Sequence, residues 1–493
     1  MTGPWWTRLG DRRSLGPLRR LAPFVLRYRA NLVGAMTALV VASTASLAIP
    51  LAVRRMIDLG FAHTSTGEID RYFTALMVVA GVLAVASSSR YYLVSRLGER
   101  VVADLRRAVY DHVIALDPAF FEVTRTGEVL SRLTTDTTVV QSAVGSSVSV
   151  ALRSAVQFTG AFFMLAITSF RLTGLIVVLV PAIVLPIFLL GRVERRLARA
   201  SQDRIADASA QAGETLAAAA TVQAFVQEEG ERARFGAAVE RAFQTALRRF
   251  AIDAVQMSLA IGMGFGAITY VLWRGAHAVT AGALTIGELG QFMLYAAIVA
   301  SAFGALSEVW GQLQRAAGAT ERLVELLEAE PAIEAPETPV ALPVPAVGSV
   351  RFEKVTFAYP SKPDAPALVD FDLEVRPGET VALVGPSGAG KTTVFALLLR
   401  FWDPERGRVL LDGADVRDAD PRAVRARVGL VPQEPVLFSA DAMENIRYGR
   451  AGAPDDAVRA AARAAVADGF FAELPQGYGT YLGERGVRLS GGQ

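Results

Sequence analysis

The sequence predicts a multi-domain membrane protein: an all-α, six-helix transmembrane domain with long cytoplasmic extensions, joined to an α/β domain. Three observations carry this prediction. Six apolar runs without a formal charge, each close to the ~20 residues that cross a bilayer as helix, occupy the first 307 residues. Two long connections between them are rich in arginine. After a proline-rich stretch the pattern shifts to strand-like alternation that leads into a glycine-rich loop.

Composition agrees. A length of 493 residues suggests more than one domain. Hydrophobic residues make up 52% of the chain, too oily for a soluble protein unless much of that surface faces lipid. Cysteine is absent, which excludes a disulfide, a thiolate metal site and a cysteine nucleophile. Histidine is confined to His63, His112 and His277. Lysine occurs at Lys354, Lys362 and Lys391 alone, so nearly all the basic residues are arginine. A lysine kept against that bias points to a need for an ammonium, and Lys391 stands in the glycine-rich loop.

Residues 1–30 read as an N-terminal interfacial segment. They are arginine-rich and lack a small-residue cleavage site, so they do not make a secretory signal. Trp5 and Trp6 would sit at the headgroups. Residues 31–328 hold the six runs: Leu32–Val53, Tyr72–Ser89, Ser154–Phe170, Leu172–Gly191, Ala254–Trp273 and Leu289–Ser307. Buried core helices read alike one at a time, but six rarely coexist in one soluble domain. Arg90–Arg153 and Arg192–Asp253 are the long basic connections. The others are short, one a near-immediate turn at Arg171. The positive-inside rule then places both termini and the long connections in the cytoplasm, with Arg54 and Arg55 outvoted.

Both long connections carry apolar residues at helical spacing, so the helices are expected to run on beyond the membrane. Each has a break fit for a short cross-helix. The first lies in DPAFFEVTRTGE, with Pro118 and Gly127 as breakers; the second lies around QEEGERARF, with Gly230. Residues 329–348 form a proline-rich linker that cannot continue a helix. From 349 to 493 the chain reads as α/β. VRFEKVTFAYP and ALVDFDLEVRPGE alternate as strands, followed by an apolar strand, TVALVG.

That strand opens onto Gly385-Pro-Ser387-Gly388-Ala389-Gly390-Lys391-Thr392, two glycines flanking four residues ahead of Lys-Thr. Backbone amides must turn inward on phosphate oxygens there, and side chains would obstruct them, so glycine recurs. Lys391 is placed to reach the β- and γ-phosphates of ATP, and the Thr392 hydroxyl to ligate Mg2+. Thr393 follows in a helix-forming run. About a hundred residues on, the sequence reads Leu489-Ser490-Gly491-Gly492-Gln493. Alone this is a polar helix-capping turn.

Together these residues resemble the exporters of the ATP-binding cassette (ABC) superfamily, over essentially the whole chain. The resemblance makes LSGGQ the signature that meets the γ-phosphate held by the opposite subunit, through exposed amides and a helix dipole. It makes Tyr359, in FAYP, the aromatic that stacks on adenine, although alone it is an ordinary strand aromatic. Gln433, in VPQEPVLF, becomes a magnesium-bridging glutamine, although alone it is a turn residue between prolines. The stretch Thr480–Gly486, with Glu484, is similar to one found only in exporters. FFEVTRTGEVLSRLTTDT is similar to their first coupling region. The family continues past the signature with a strand ending in Asp-Glu and a switch histidine. The sequence ends at Gln493, and none of its histidines stands in that place. The expectation is therefore a nucleotide-binding domain truncated after LSGGQ, with no catalytic group beyond Lys391, from a parent that is an ATPase and translocase.

The function so implied is ATP-driven export of an apolar or amphipathic drug, lipid or peptide by alternating access, as one half of a dimer. The partners would be a second half-transporter, the bilayer and the substrate, with no nucleic acid. The expected place is the cell (plasma or inner) membrane, with N-terminus and nucleotide-binding domain cytoplasmic. An exporter-fold importer and a non-hydrolysing ATP-binding partner or sensor subunit remain alternatives. A soluble phosphate-loop kinase is contradicted by the six spans.

Overall fold

The computed structural model describes residues 15–60, 66–433 and 436–483. The chain divides into two compact units: the first runs to Leu116 and then from Thr124 to Glu330, and the second comprises Asp117–Val123 and the chain from Pro331.

In the first unit a 3-10 turn, Gly16–Leu21, leads into α1 (Ala22–Leu26). Then come α2 (Arg29–Arg55) and α3 (Thr66–Val113); α4 (Pro118–Val123) belongs to the second unit. Helices α5 (Thr126–Ser131), α6 (Thr137–Ser142) and α7 (Val148–Thr168) form one stretch through π turns at Arg132–Asp136 and Ala143–Ser147. The unit closes with α8 (Phe170–Ala217), α9 (Ala219–Ala224), α10 (Glu228–Thr280) and α11 (Ile286–Leu327). Six of these stretches are long and apolar enough to cross a membrane. The 53 residues of α10 make a rod of about 80 Å, well over twice the ~30 Å hydrocarbon core. The extensions beyond the apolar runs are thus helical, as the spacing of their apolar residues required.

Two breaks differ from expectation. The turn forecast at Arg171 lies at Ser169, whose extended backbone (φ −158°, ψ 104°) ends α7. Ser169 caps α8 by accepting the Leu172 amide at 3.4 Å, which places Arg171 inside the first turn of that helix. The second cross-helix forecast around Gly230 is instead α9, bounded by Ala218 and by Val226 at φ 54°. Gly230 falls in the first turn of α10, where amides have no intrahelical partner to lose and glycine costs little.

Packing pairs α2 with α3, α7 with α11 and α8 with α10. One core sits where Phe292, Tyr295 and Val299 of α11 meet Ala161 and Leu165 of α7. The Tyr295 hydroxyl donates to Leu47 O at 2.7 Å, so a buried phenol is not left unpaired.

The second unit contains β1 (Val350–Phe357), β2 (Leu368–Val375), α12 (Lys391–Leu398), β3 (Arg406–Leu411) and β4 (Ala414–Asp415). Helices α13 (Pro421–Arg425), α14 (Ala442–Arg447), α15 (Asp455–Ala464) and α16 (Asp468–Glu473) follow. The sheet has the order β2-β1-β3-β4 and every pairing is antiparallel. Val350 lies opposite both Val375 and Leu411. A bulge at Lys354 (φ 46°) inserts one residue, so Phe352, Val355 and Phe357 all turn inward. They meet Val394 and Leu397 of α12 and Val409 of β3. The hairpin from β3 to β4 turns on Asp412 (φ 52°) and Gly413 (φ 82°), the Asp-Gly pair that a primed two-residue turn favours.

Thr380–Gly385, forecast as the strand before the glycine-rich loop, is not in the sheet. Among the described residues no strand lies beside it. A parallel strand needs partners for its amides and carbonyls, and without one Val384 is 89% exposed. The proline-rich stretch is also more than a tether. It forms neither helix nor strand, yet Leu342 is buried in the core of the second unit and the Val340 amide donates to Asp418 O at 2.7 Å.

Candidate nucleotide site

The loop between Gly385 and Gly390 is exposed apart from its last residue and runs directly into α12. Gly390 is left-handed (φ 81°), and a Cβ there would strike the Ala367 carbonyl. No other residue fits, because both the backbone angle and the space exclude a side chain. Gly388 is likewise left-handed (φ 82°). The chain therefore presents a side-chain-poor arc of amides at the start of a helix, where the dipole favours an anion.

Lys391 closes this arc. Its Nζ donates to Gly385 O at 2.9 Å and to Pro386 O at 2.6 Å, which holds the ammonium over the loop. Thr392, next on the first turn of α12, is exposed, while Thr393 is buried. The Thr393 hydroxyl lies 3.1 Å from the Tyr359 hydroxyl, so the structure joins two residues more than thirty positions apart. Tyr359 does not lie on β1, as a strand aromatic would. It stands two residues past Phe357 and meets the rings of Phe357 and Trp402 edge to face at 4.9 and 5.6 Å. Trp402 was not foreseen; a lone tryptophan after a helix carries no local signal of its partner.

The remaining forecast residues stand apart. Ser387 and Ala389 line the exposed loop, but Gln433 is exposed and, among the described residues, has no hydrogen bond to the loop. Glu484, Ser490, Gly491, Gly492 and Gln493 lie outside the described residues. No cluster of three or more acidic or histidine side chains could hold a metal ion alone among the described residues. A divalent cation here would rest on the Thr392 hydroxyl and on oxygens of its own anionic ligand. The arc, the ammonium and the exposed hydroxyl fit a nucleoside polyphosphate with Mg2+.

Sequence reasoning also missed how α4 is held. The buried Asp117 carboxylate accepts amides from Phe120 at 3.2 Å, from Ile333 at 3.1 Å and from Ala332. Ser361 donates to Glu122 at 2.8 Å. These bonds tie the forecast coupling segment to the start of the proline-rich stretch and to the turn after Tyr359.

Residues 32–303 match the family described as the ABC transporter transmembrane region, and residues 368–493 the family described as ABC transporter. The chain is 35% identical, over 92% of its length, to the ABC multidrug transporter mdr2 of Aspergillus fumigatus, and covers 58% of that protein. It is 37% identical, over 92% of its length, to the human mitochondrial potassium channel ATP-binding subunit, and covers 62% of it. It is 35% identical, over 96% of its length, to the mouse mitochondrial ATP-binding cassette sub-family B member 10, and covers 67% of it. The chain thus spans about three fifths to two thirds of the relatives it matches.

Proposed function

This chain belongs to the ABC transporter family, and from that premise we propose that it is one half of a dimeric exporter that moves an apolar or amphipathic drug, lipid or peptide at the expense of ATP. The observation that carries the reading is the glycine arc closed by Lys391, in the same chain as six membrane-length helices. In this reading residues 31–328 are the transport domain, 329–348 the linker and 349–493 the nucleotide-binding domain. The amides from Gly385 to Gly390 hold the phosphates, Lys391 reaches the β- and γ-oxygens, Thr392 and Gln433 take Mg2+, and Tyr359 meets the adenine. Ser490–Gln493 of a second copy would cover the γ-phosphate from the other side. Bound ATP supplies the free energy of phosphoanhydride cleavage. The Asp117 and Glu122 bonds would make α4 follow the movement of the second unit.

The basic long connections support a cytoplasmic N-terminus and nucleotide-binding domain in the cell (plasma or inner) membrane. The test is ATP-dependent accumulation of amphipathic probes in inside-out vesicles, by a version with a complete nucleotide-binding domain. Lys391→Ala is expected to abolish it, and unchanged transport overturns the mechanism.

A second reading is favoured by a relative named as the ATP-binding subunit of a mitochondrial potassium channel. The chain would then bind ATP as a regulatory partner without turnover. A non-hydrolysable ATP analogue separates the two, because it sustains regulation but not accumulation.

A further inference from the structure

We propose that Arg192, Arg195, Arg196 and Arg199 form a comb on α8 that binds the headgroups of anionic phospholipids. Their spacing puts all four on one face of the helix. All are exposed, and their side chains line a single open pocket of about 530 Å³ with Ala200 and Asp203. The neighbouring acids are engaged elsewhere: Glu194 meets Arg249 at 3.3 Å, and Asp207 meets Arg204 at 3.4 Å. Among the described residues none of the four arginines has an ion pair, and Asp203 is the single carboxylate lining their pocket. Four cations gathered on one face repel each other, and an anion laid across them removes that cost. The positive-inside rule asks for basic residues at this depth but not for their placement on one face. That placement is what a binding surface requires.

The position of the comb selects the class of anion. Arg192 directly follows the charge-free run Leu172–Gly191, so the comb begins where the hydrocarbon ends and covers about 10 Å of helix. Its side chains reach back toward the membrane. Cα–Cβ bonds tilt toward the N-terminus of a helix, and the N-terminal part of α8 is its apolar run. Arg192 and Arg195 both set Cζ over the Phe188 ring, 4.9 and 5.9 Å from its centroid. Arg195 Nη1 also comes within 3.7 Å of the point that a Cβ on Gly191 would take. On the membrane side of the comb the same face carries Leu185, Phe188 and Leu189, all exposed. A lipid whose phosphate rests on the arginines thus lays its acyl chains along an apolar stripe, whereas a soluble anion gains the arginines alone. The orientation proposed above makes this the cytoplasmic leaflet, where anionic lipids concentrate; the inference rests on that reading only for the choice of leaflet.

The test titrates the detergent-purified full chain, without nucleotide, with phosphatidylglycerol or phosphatidylcholine, and counts bound lipid by native mass spectrometry. Phosphatidylglycerol is expected to bind more tightly, and its affinity to fall about 30-fold in R196Q/R199Q as two headgroup attractions are lost. R196K/R199K should keep most of it. Arg204→Gln, which removes an exposed arginine from another face of α8, should keep all of it. If R196Q/R199Q does not fold, the unsubstituted chain in concentrated ammonium acetate carries the test, because screening of exposed charges should weaken binding. Equal binding of the two lipids, unchanged binding in R196Q/R199Q, an equal loss in Arg204→Gln, or binding indifferent to salt overturns the proposal. So does displacement of the lipid by inorganic phosphate alone, which would make the comb a plain anion site. Because no ATP is present, a failure here leaves the export reading untouched, and a failure of export leaves this one untouched.

Discussion

Lys391 is the residue at which sequence and geometry bear on each other most directly. Its retention in an arginine-biased chain pointed to a need for an ammonium, and its two bonds to loop carbonyls hold that charge where a phosphate would lie. Lys391→Ala is expected to weaken binding of a fluorescent ATP analogue about ten- to a hundred-fold, the loss of a charged hydrogen bond worth ~1.5–3 kcal/mol. Unchanged affinity would remove Lys391 from the site. Asp412 had no such signal. Burial alone would push its carboxyl up, but the amides of Ser349, Gly348 and Val347 and the Arg427 guanidinium outweigh burial and hold it below its ordinary value. A depressed carboxyl stabilises the fold fully above the unfolded pKa near 3.8, and that contribution is lost as pH falls through the lower folded value. Hydrogen-exchange protection of the three amides, corrected for intrinsic rate, should therefore persist at pH 5 to 7 and collapse in strong acid. In Asp412→Ala it should be lost at every pH.

At the scale of elements, helix ends and crossings decide stability. Thr285 begins α11 with a capping box: its hydroxyl accepts the Glu288 amide at 3.0 Å while Glu288 accepts the Thr285 amide at 2.9 Å. Asp58 accepts from Thr285 Oγ1 at 2.8 Å and from the Gly287 amide at 2.9 Å, and Arg54 reaches Glu288 at 2.8 Å. Thr285→Ala should cost about 1 kcal/mol, read as a lower thermal midpoint in detergent, and Thr285→Ser should restore most of it. Where α3 crosses the π turn Ala143–Ser147, the close approach is one-sided. A Cβ on Gly98 would lie 2.6 Å from Gly145 Cα, while one on Gly145 would lie 3.5 Å from Gly98 Cα. Gly98→Ala is therefore expected to destabilise by about 1–3 kcal/mol and Gly145→Ala to be nearly neutral. Equal effects would show that this crossing does not set the packing. The sequence marks both glycines but cannot say which one bears the contact, because that depends on the direction of each Cβ.

At the scale of the molecule, six long helices and a separate sheet-bearing unit follow from periodicity and charge placement. The absence of native cysteine makes the topology simple to check. Gln202→Cys in the extension of α8 and Thr280→Cys at the end of α10 are both exposed, and an impermeant maleimide should label them from opposite sides of the membrane. Labelling from one side would overturn the orientation.

What the sequence determined by itself is local. Charge-free runs, helical spacing beyond them and the glycine arc are all written within a few consecutive residues, because backbone geometry and solvation act over that range. The tertiary structure decided what depends on a partner distant in sequence. Leu342 of the proline-rich stretch entered a core, and Tyr359 met Thr393. Thr380–Gly385, strand-like in every local respect, stayed outside the sheet. A strand is completed by its neighbours, whereas a membrane-length helix satisfies its own hydrogen bonds, and this explains why the helices were legible in the sequence and the sheet only in part.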